Sequence, residues 1–352
     1  VLIFSLITIT ILHFLIADIF RLMGLDQKTQ QLALEYFQVY LYGLPVVYLF
    51  NLQGQILNAN GSTRLRSAIL LFALGLNIVL DPILIFGYWG FPEMGIRGAA
   101  VATIFSELIG ILISIYALRR KNYIGRLSSF GRLTGDYFKR LISIGFPSAT
   151  TNMTWTLVFP LLTVVITEFG MSPLAGLNIG NRWEGFPYFF SIGFSVAIST
   201  LVGNCIGRGD IELAKRIVVR GIALITIALL PFSLLFILIP EHLIALLNSD
   251  PEVIHHGAEY LRIVGYFELF LGWELILEGA YNGIGKTRSY MLIRVPLTIS
   301  RIPLAWLMSI HWGMGVEGVW WAVSLTTLLK GVGLIIVYHY QECKGQLYSV
   351  ES

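Results

Sequence analysis

Asn77 and Asp81 stand four residues apart inside an apolar run, and Pro82 follows the aspartate directly. In a helix that spacing puts the amide and the carboxyl on one face. Proline at 82 has no N–H to give to the carbonyl of Ile78, so a further oxygen is left free beside the carboxylate. Carboxylate, amide and free carbonyl make a hard-oxygen cluster suited to Na⁺, or to a proton carried on the carboxyl. The same groups would also serve to pin a proline kink.

Other ionisable groups lie in equally apolar surroundings, where each costs about 2.5–3.5 kcal/mol to insert into a bilayer. Arg182 and Glu184 are two residues apart and so do not face each other on a helix. Each is expected to meet another helix, Glu184 pairing for example with Arg301. Glu274 and Glu278 share a helix face, whereas Glu268 sits well round the same helix. Glu274 is the deeper of the pair and is expected to line a cavity; Glu278, beside the Gly283–Gly285 turn, reads as a cap or surface partner. Glu107 and Lys330 are expected to pair between helices or to snorkel to a lipid interface. Trp155, with Tyr188, Phe189, Trp273 and Tyr281, could offer a π-face to a cationic aromatic ligand.

The elements that hold these groups follow from composition. Of 352 residues 56% are hydrophobic and 13% charged, and mean hydropathy is +0.74. A soluble domain has about 25% charged residues to cover its surface. A net charge of +3 gives no reason to expect nucleic acid as a partner. Two cysteines, Cys205 and Cys343, make no disulfide framework, and the six histidines are scattered and fit no metal-ligand spacing. The glycines at 203, 207 and 209 lack the Lys-Ser/Thr ending of a phosphate loop, so neither ATP nor any cofactor is expected.

What remains is an all-α polytopic membrane protein. A helix needs about 20 apolar residues to cross roughly 30 Å of hydrocarbon. Ten stretches qualify, centred near residues 12, 45, 78, 109, 155, 190, 228, 268, 298 and 326. Turn residues separate them, including Gly24–Asp26, Asn60–Ser62, Gly90–Pro92, Arg208–Asp210 and Asn248–Pro251. Alternate loops hold sixteen basic residues against three on the other side. The positive-inside rule therefore puts both chain ends in the cytoplasm, in the cytoplasmic membrane of a cell.

The sequence repeats. A shift of 224 residues superposes Asp26 on Asp250, Glu35–Tyr36 on Glu259–Tyr260, Asn58 on Asn282 and Gly61–Arg64 on Gly285–Arg288. Four residues are then lost, and at a shift of 220 Gly95–Ala102 meets Gly315–Ala322. The expected organisation is an amino-terminal lobe at 1–120, a basic linker at 121–140, a carboxy-terminal lobe at 141–342 and a cytoplasmic tail at 343–352. The first two spans of the second half have no counterpart. The repeat thus predicts two further helices, about 85–90 residues, upstream in a parent of two six-helix bundles, of which ten of twelve helices are present here. Parallel repeats place substrate between the lobes near the bilayer midplane.

The ordered motifs Asn77–Pro82, Gly95–Thr103, Val202–Asp210 with Ala214–Arg216, and Glu278–Arg288 resemble the multidrug and toxic compound extrusion (MATE) family over the whole chain. The resemblance implies a secondary active exporter. It would move cationic or amphiphilic drugs or metabolites against Na⁺ or H⁺ by alternating access, as a monomer and not an enzyme. It assigns Asn77 and Asp81 to the cation site of the amino-terminal lobe, with Thr103 from the family's sixth helix. A first-helix aspartate of that site has no match here. From the buried charges and aromatics, the candidates for the substrate cavity are Glu184, Arg182, Glu274, Trp155 and Arg301. Acids found on the seventh and tenth helices of the NorM-like branch are replaced by Trp155 and Leu271. The rival reading is a lipid-linked oligosaccharide or polysaccharide flippase of the same superfamily, with a more basic cavity.

Overall fold

The computed structural model describes residues 2–22, 27–120, 135–345 and 347. The Gly24–Asp26 turn, most of the basic linker and the end of the tail lie outside the described residues. The chain divides into two compact units, Val1–Gly131 and Arg132–Ser352. Unit 1 holds α1 (Leu2–Leu22), α2 (Gln27–Ala59), α3 (Thr63–Phe86) and α4 (Ile96–Arg120). Unit 2 holds α5 (Gly135–Thr167), α6 (Met171–Gly207), α7 (Ile211–Leu238), the short α8 (Pro240–Ala245), α9 (Pro251–Ile284), α10 (Thr287–Ile299), α11 (Arg301–Trp306) and α12 (Val316–Cys343). No strand occurs among the described residues.

Nine helices among the described residues are long and apolar enough to cross a membrane. The tenth expected span, near residue 268, is α9. At 34 residues it is long enough, but Glu268, Glu274 and Glu278 interrupt its apolar stretch. Large apolar side chains stand exposed on the helices, such as Ile3 at 76% and Phe14 at 74%. Such surface is at home in hydrocarbon and a liability in water.

The repeat is visible bond by bond. α2 and α9 begin 224 residues apart, as do α3 and α10. Both α2 and α9 end on a glycine of positive φ, Gly61 at 71° and Gly285 at 84°. The closing bonds match: Gly61 N–H to Asn58 O and Ser62 N–H to Leu57 O recur as Gly285 to Asn282 and Lys286 to Tyr281. This reverse turn satisfies carbonyls that the helix end would otherwise orphan. Between the next two helices, Met94 N–H to Leu84 O and Gly95 N–H to Ile85 O recur as Met314 to Met308 and Gly315 to Ser309. The four-residue offset is taken up by the loop of unit 1, which carries an extra 3-10 turn at Tyr88–Gly90.

The backbones touch at that loop. A Cβ on Gly98 would stand 2.6 Å from the Leu84 carbonyl, and one on Gly318 2.6 Å from the backbone of Met308 and Ser309. In unit 2 the central α9 packs against α6, α7 and α12. Close approach of α6 and α9 needs small residues, since a Cβ on Gly279 would lie 2.3 Å from Ser195 O. The ninth span of the expected series is broken at Ser300, with Pro296 and Pro303 on either side, and ends in a π turn at Leu307–His311.

Candidate functional site

In unit 1, α3 and α4 bring Asn77, Asp81 and Thr103 together. The Asn77 amide nitrogen donates to Asp81 Oδ1 at 3.1 Å and lies 3.4 Å from Thr103 Oγ1. The Thr103 hydroxyl donates to Ala99 O at 3.0 Å, one turn back in α4. All three side chains are half-buried. In this arrangement the amide shows its nitrogen to the carboxylate. A cation, or a proton on Asp81, calls instead for the amide oxygen, which a half-turn of the amide group supplies.

In unit 2, helices α5, α6, α9, α10, α11 and α12 enclose a cavity of about 300 Å³. Trp155, Glu184, Glu274 and Arg301 all line it, together with Glu268, Arg294 and Lys330. Arg182 does not: it is exposed on α6. The two-residue offset that separates it from Glu184 turns one inward and the other out. Tyr188 lines the cavity, while Phe189, Trp273 and Tyr281 do not.

The buried charges fall into two groups. Lys330 Nζ lies 2.8 Å from Glu274 Oε2, and Arg294 Nε lies 2.9 Å from Glu274 Oε1. Arg294 also reaches Glu278 at 3.0 Å, and the Tyr290 hydroxyl donates to the same carboxylate at 2.8 Å. Two carboxylates and two cations thus balance, and Lys330 pairs between helices instead of snorkelling. Glu278 is part of this quartet, not a surface cap.

The second group does not pair as expected. Glu184 accepts from the Tyr260 hydroxyl. Arg301 donates from Nε to Thr326 Oγ1 and from Nη2 to Thr327 Oγ1, both at 2.8 Å, and its guanidinium lies 5.1 Å from the Trp155 ring centre. Glu184 and Arg301 line the same cavity without forming an ion pair. Arg301 is 2% exposed and its Nη1 has no hydrogen-bond partner; Glu268 is 1% exposed and neither of its oxygens has one. Glu268 lines the cavity although it lies round the helix from Glu274, because it shares a face of α9 with Val264 and Leu271, which line it too. Trp155 and Leu271 also face it.

Under the repeat shifts, Arg301 takes the place of Asn77, Ala305 that of Asp81 and Val323 that of Thr103. Glu274 and Lys330 likewise stand where unit 1 has Phe50 and Gly110, which touch across α2 and α4. Unit 2 therefore carries fixed charges where unit 1 carries an amide, an aromatic ring and a glycine.

Long apolar helices, lipid-compatible surfaces and charges held inside the spans define a multi-pass membrane protein with polar sites in its interior. A family model for MatE matches residues 1–83 and 147–307, and the chain belongs to that family. The probable multidrug resistance protein NorM of Thermotoga maritima is 30% identical over 298 residues, covering 84% of this chain and 64% of the relative. The chain thus spans under two thirds of that relative's length. The FAD transporter of Shewanella oneidensis is 28% identical over 322 residues, covering 90% and 70%. Among solved structures, a variant of the Vibrio cholerae MATE transporter VcmN superposes with a TM-score of 0.90 at 22% identity, over 98% of this chain and 78% of that one. A MOP superfamily transporter from Pyrococcus furiosus gives 0.86 at 21%, over 99% and 78%. The likeness to these structures is one of fold. The relatives are transporters and not enzymes.

Proposed function

We propose that the protein is a secondary active exporter of cationic or amphiphilic drugs or metabolites, driven by Na⁺ or H⁺. The observation that carries this reading is the cluster of Asp81, Asn77 and Thr103 inside membrane-spanning helices. An ion arriving at Asp81 neutralises a carboxylate that the bilayer disfavours and takes over the Asn77 amide, so the packing of α3 on α4 changes with its occupancy. Coupling then requires ion and cargo to favour different states. The cargo contacts are Trp155, Glu184, Glu268, Glu274 and Arg301 in the cavity of unit 2. The loop charges orient both chain ends towards the cytoplasm, in the cytoplasmic membrane.

A second reading is an anionic cargo. The unpartnered Nη1 of Arg301 favours it, as do Arg294 and Lys330 in the same wall, and a relative is named for a flavin dinucleotide. This reading includes the pyrophosphate-linked substrates of a flippase.

The test is ethidium accumulation in efflux-deficient cells expressing the protein or Asp81→Asn. Wild type lowers dye and the variant does not; exchanging Na⁺ for K⁺ at fixed pH then names the ion. Equal efflux by both removes Asp81 from coupling. Unchanged dye in both, at good membrane expression, shifts the assignment to the anionic cargo, for which loss of flavin dinucleotide from loaded vesicles is the assay.

A further inference from the structure

At the opening of α9, away from the cavity, two imidazoles hold one carboxylate between them. His255 Nε2 lies 3.0 Å from Glu259 Oε1, and His256 Nδ1 lies 3.3 Å from Glu259 Oε2. The three ligand atoms fall within 4.8 Å of one another. The Glu317 carboxyl, in the first turn of α12, is near enough to feel the charge of Glu259 and of both histidines. We propose that His255, His256 and Glu259 form a site for a divalent transition metal of the zinc type.

The donor set decides the class of ion. Two imidazole nitrogens with carboxylate oxygens suit Zn²⁺, Co²⁺ or Ni²⁺, whereas Ca²⁺ and Mg²⁺ take oxygen alone. The backbone beneath is firmly placed. Asp250 caps the helix by accepting from Glu252 N–H at 3.0 Å, and Ser172 of α6 donates to Glu252 at 3.0 Å. Residues 255 and 259 are one turn apart on one face, and 256 is three residues before 259, so Glu259 is central to both histidines. A recess formed by Phe169, Gly170, Ser172, Pro173 and the histidines leaves room for a water ligand. The 34 residues of α9 run about 51 Å, well beyond a hydrocarbon core of roughly 30 Å. Its first turns therefore reach the aqueous margin, where a metal has access. The spacing His-His-x-x-Glu follows no familiar ligand pattern, so the sequence did not mark it.

The test uses the full chain without a histidine tag, purified in detergent and stripped with a chelator. Zinc titration calorimetry and the visible absorption of Co²⁺ should both report one metal per chain. Glu259→Gln and His256→Ala each weaken Zn²⁺ binding by roughly tenfold or more, and Glu317→Gln by less. Size-exclusion profiles of the variants, matching wild type, confirm that each is folded. The proposal is overturned by absence of stoichiometric Zn²⁺ binding to wild type. Undiminished binding in a His255→Ala/His256→Ala chain overturns it too, as does Ca²⁺ binding as tightly as Zn²⁺.

Discussion

Replacing Lys330 by methionine isolates what the buried quartet of unit 2 contributes. Lys330 and Glu274 are 3% and 0% exposed, with nitrogen and oxygen 2.8 Å apart. At an effective dielectric of ~20 such a pair attracts by about 6 kcal/mol before desolvation is counted. Removing one partner of a buried pair costs about 3–5 kcal/mol, because the other is left uncompensated. Here Arg294 stays 2.9 Å from Glu274, so Lys330→Met belongs at the low end, about 3 kcal/mol. For a unit of this size that is a fall in apparent Tm of roughly 6–12 °C. Glu274→Gln leaves two cations facing one carboxylate and should cost more. The repeat supplies a rescue, since Phe50 and Gly110 occupy the equivalent places in unit 1. A chain with both Glu274→Phe and Lys330→Gly exchanges the charged pair for that packed one and should melt above either charge-breaking variant. Thermal size-exclusion of detergent-solubilised protein measures all three. Lys330→Met melting within about 2 °C of wild type, or a double variant no better than the singles, would refute the reasoning.

Glu268→Gln removes a carboxyl that has no hydrogen-bond partner, so it should leave Tm unchanged or raised where Glu274→Gln lowers it, in the same melting assay. Gly318→Ala forces a methyl onto the backbone of Met308 and Ser309 and should cost about 1–3 kcal/mol, read as lost monodisperse protein on heating. Gly98→Ala should do the same in unit 1. Thr103→Ala should weaken the driving ion's apparent affinity by roughly tenfold, the worth of one charge-linked oxygen, in a transport assay run against ion concentration. Arg301→Lys keeps the charge but loses the two-threonine fork. It should therefore impair transport nearly as much as Arg301→Leu, measured as dye or flavin efflux.

Much of the architecture was legible because it rests on local rules. Apolar length marked the helices, and glycines with positive φ ended those that precede residues 62 and 286. The internal repeat carried across to hydrogen bonds in the loops. Asn77 and Asp81 were readable from a four-residue spacing within one helix. Thr103 was not, since it comes from α4 and only the family pattern named it. The charges of unit 2 were legible as a problem but not in their solution. Glu274 and Lys330 are 56 residues apart, and nothing local says that α12 turns its lysine towards α9. Arg182 was a different case: its separation from Glu184 by about 200° of helix already implied that only one could face inward. The break at Ser300 escaped because apolar residues on both sides of it keep the stretch long enough to read as one span.

The backbone contact of Gly98 with Leu84, repeated by Gly318 with Met308, has a mechanical consequence. Two helices that touch through main chain, with hydrogen bonds across their loop, cannot slide or roll at that end without breaking both. Each hairpin, α3 with α4 and α10–α11 with α12, therefore behaves as a pair of tongs riveted at the loop. At the far end of the second hairpin the tie is a side-chain one, Gln341 Nε2 to Ser289 Oγ at 3.1 Å, so parting there breaks one hydrogen bond and leaves the main-chain rivet whole.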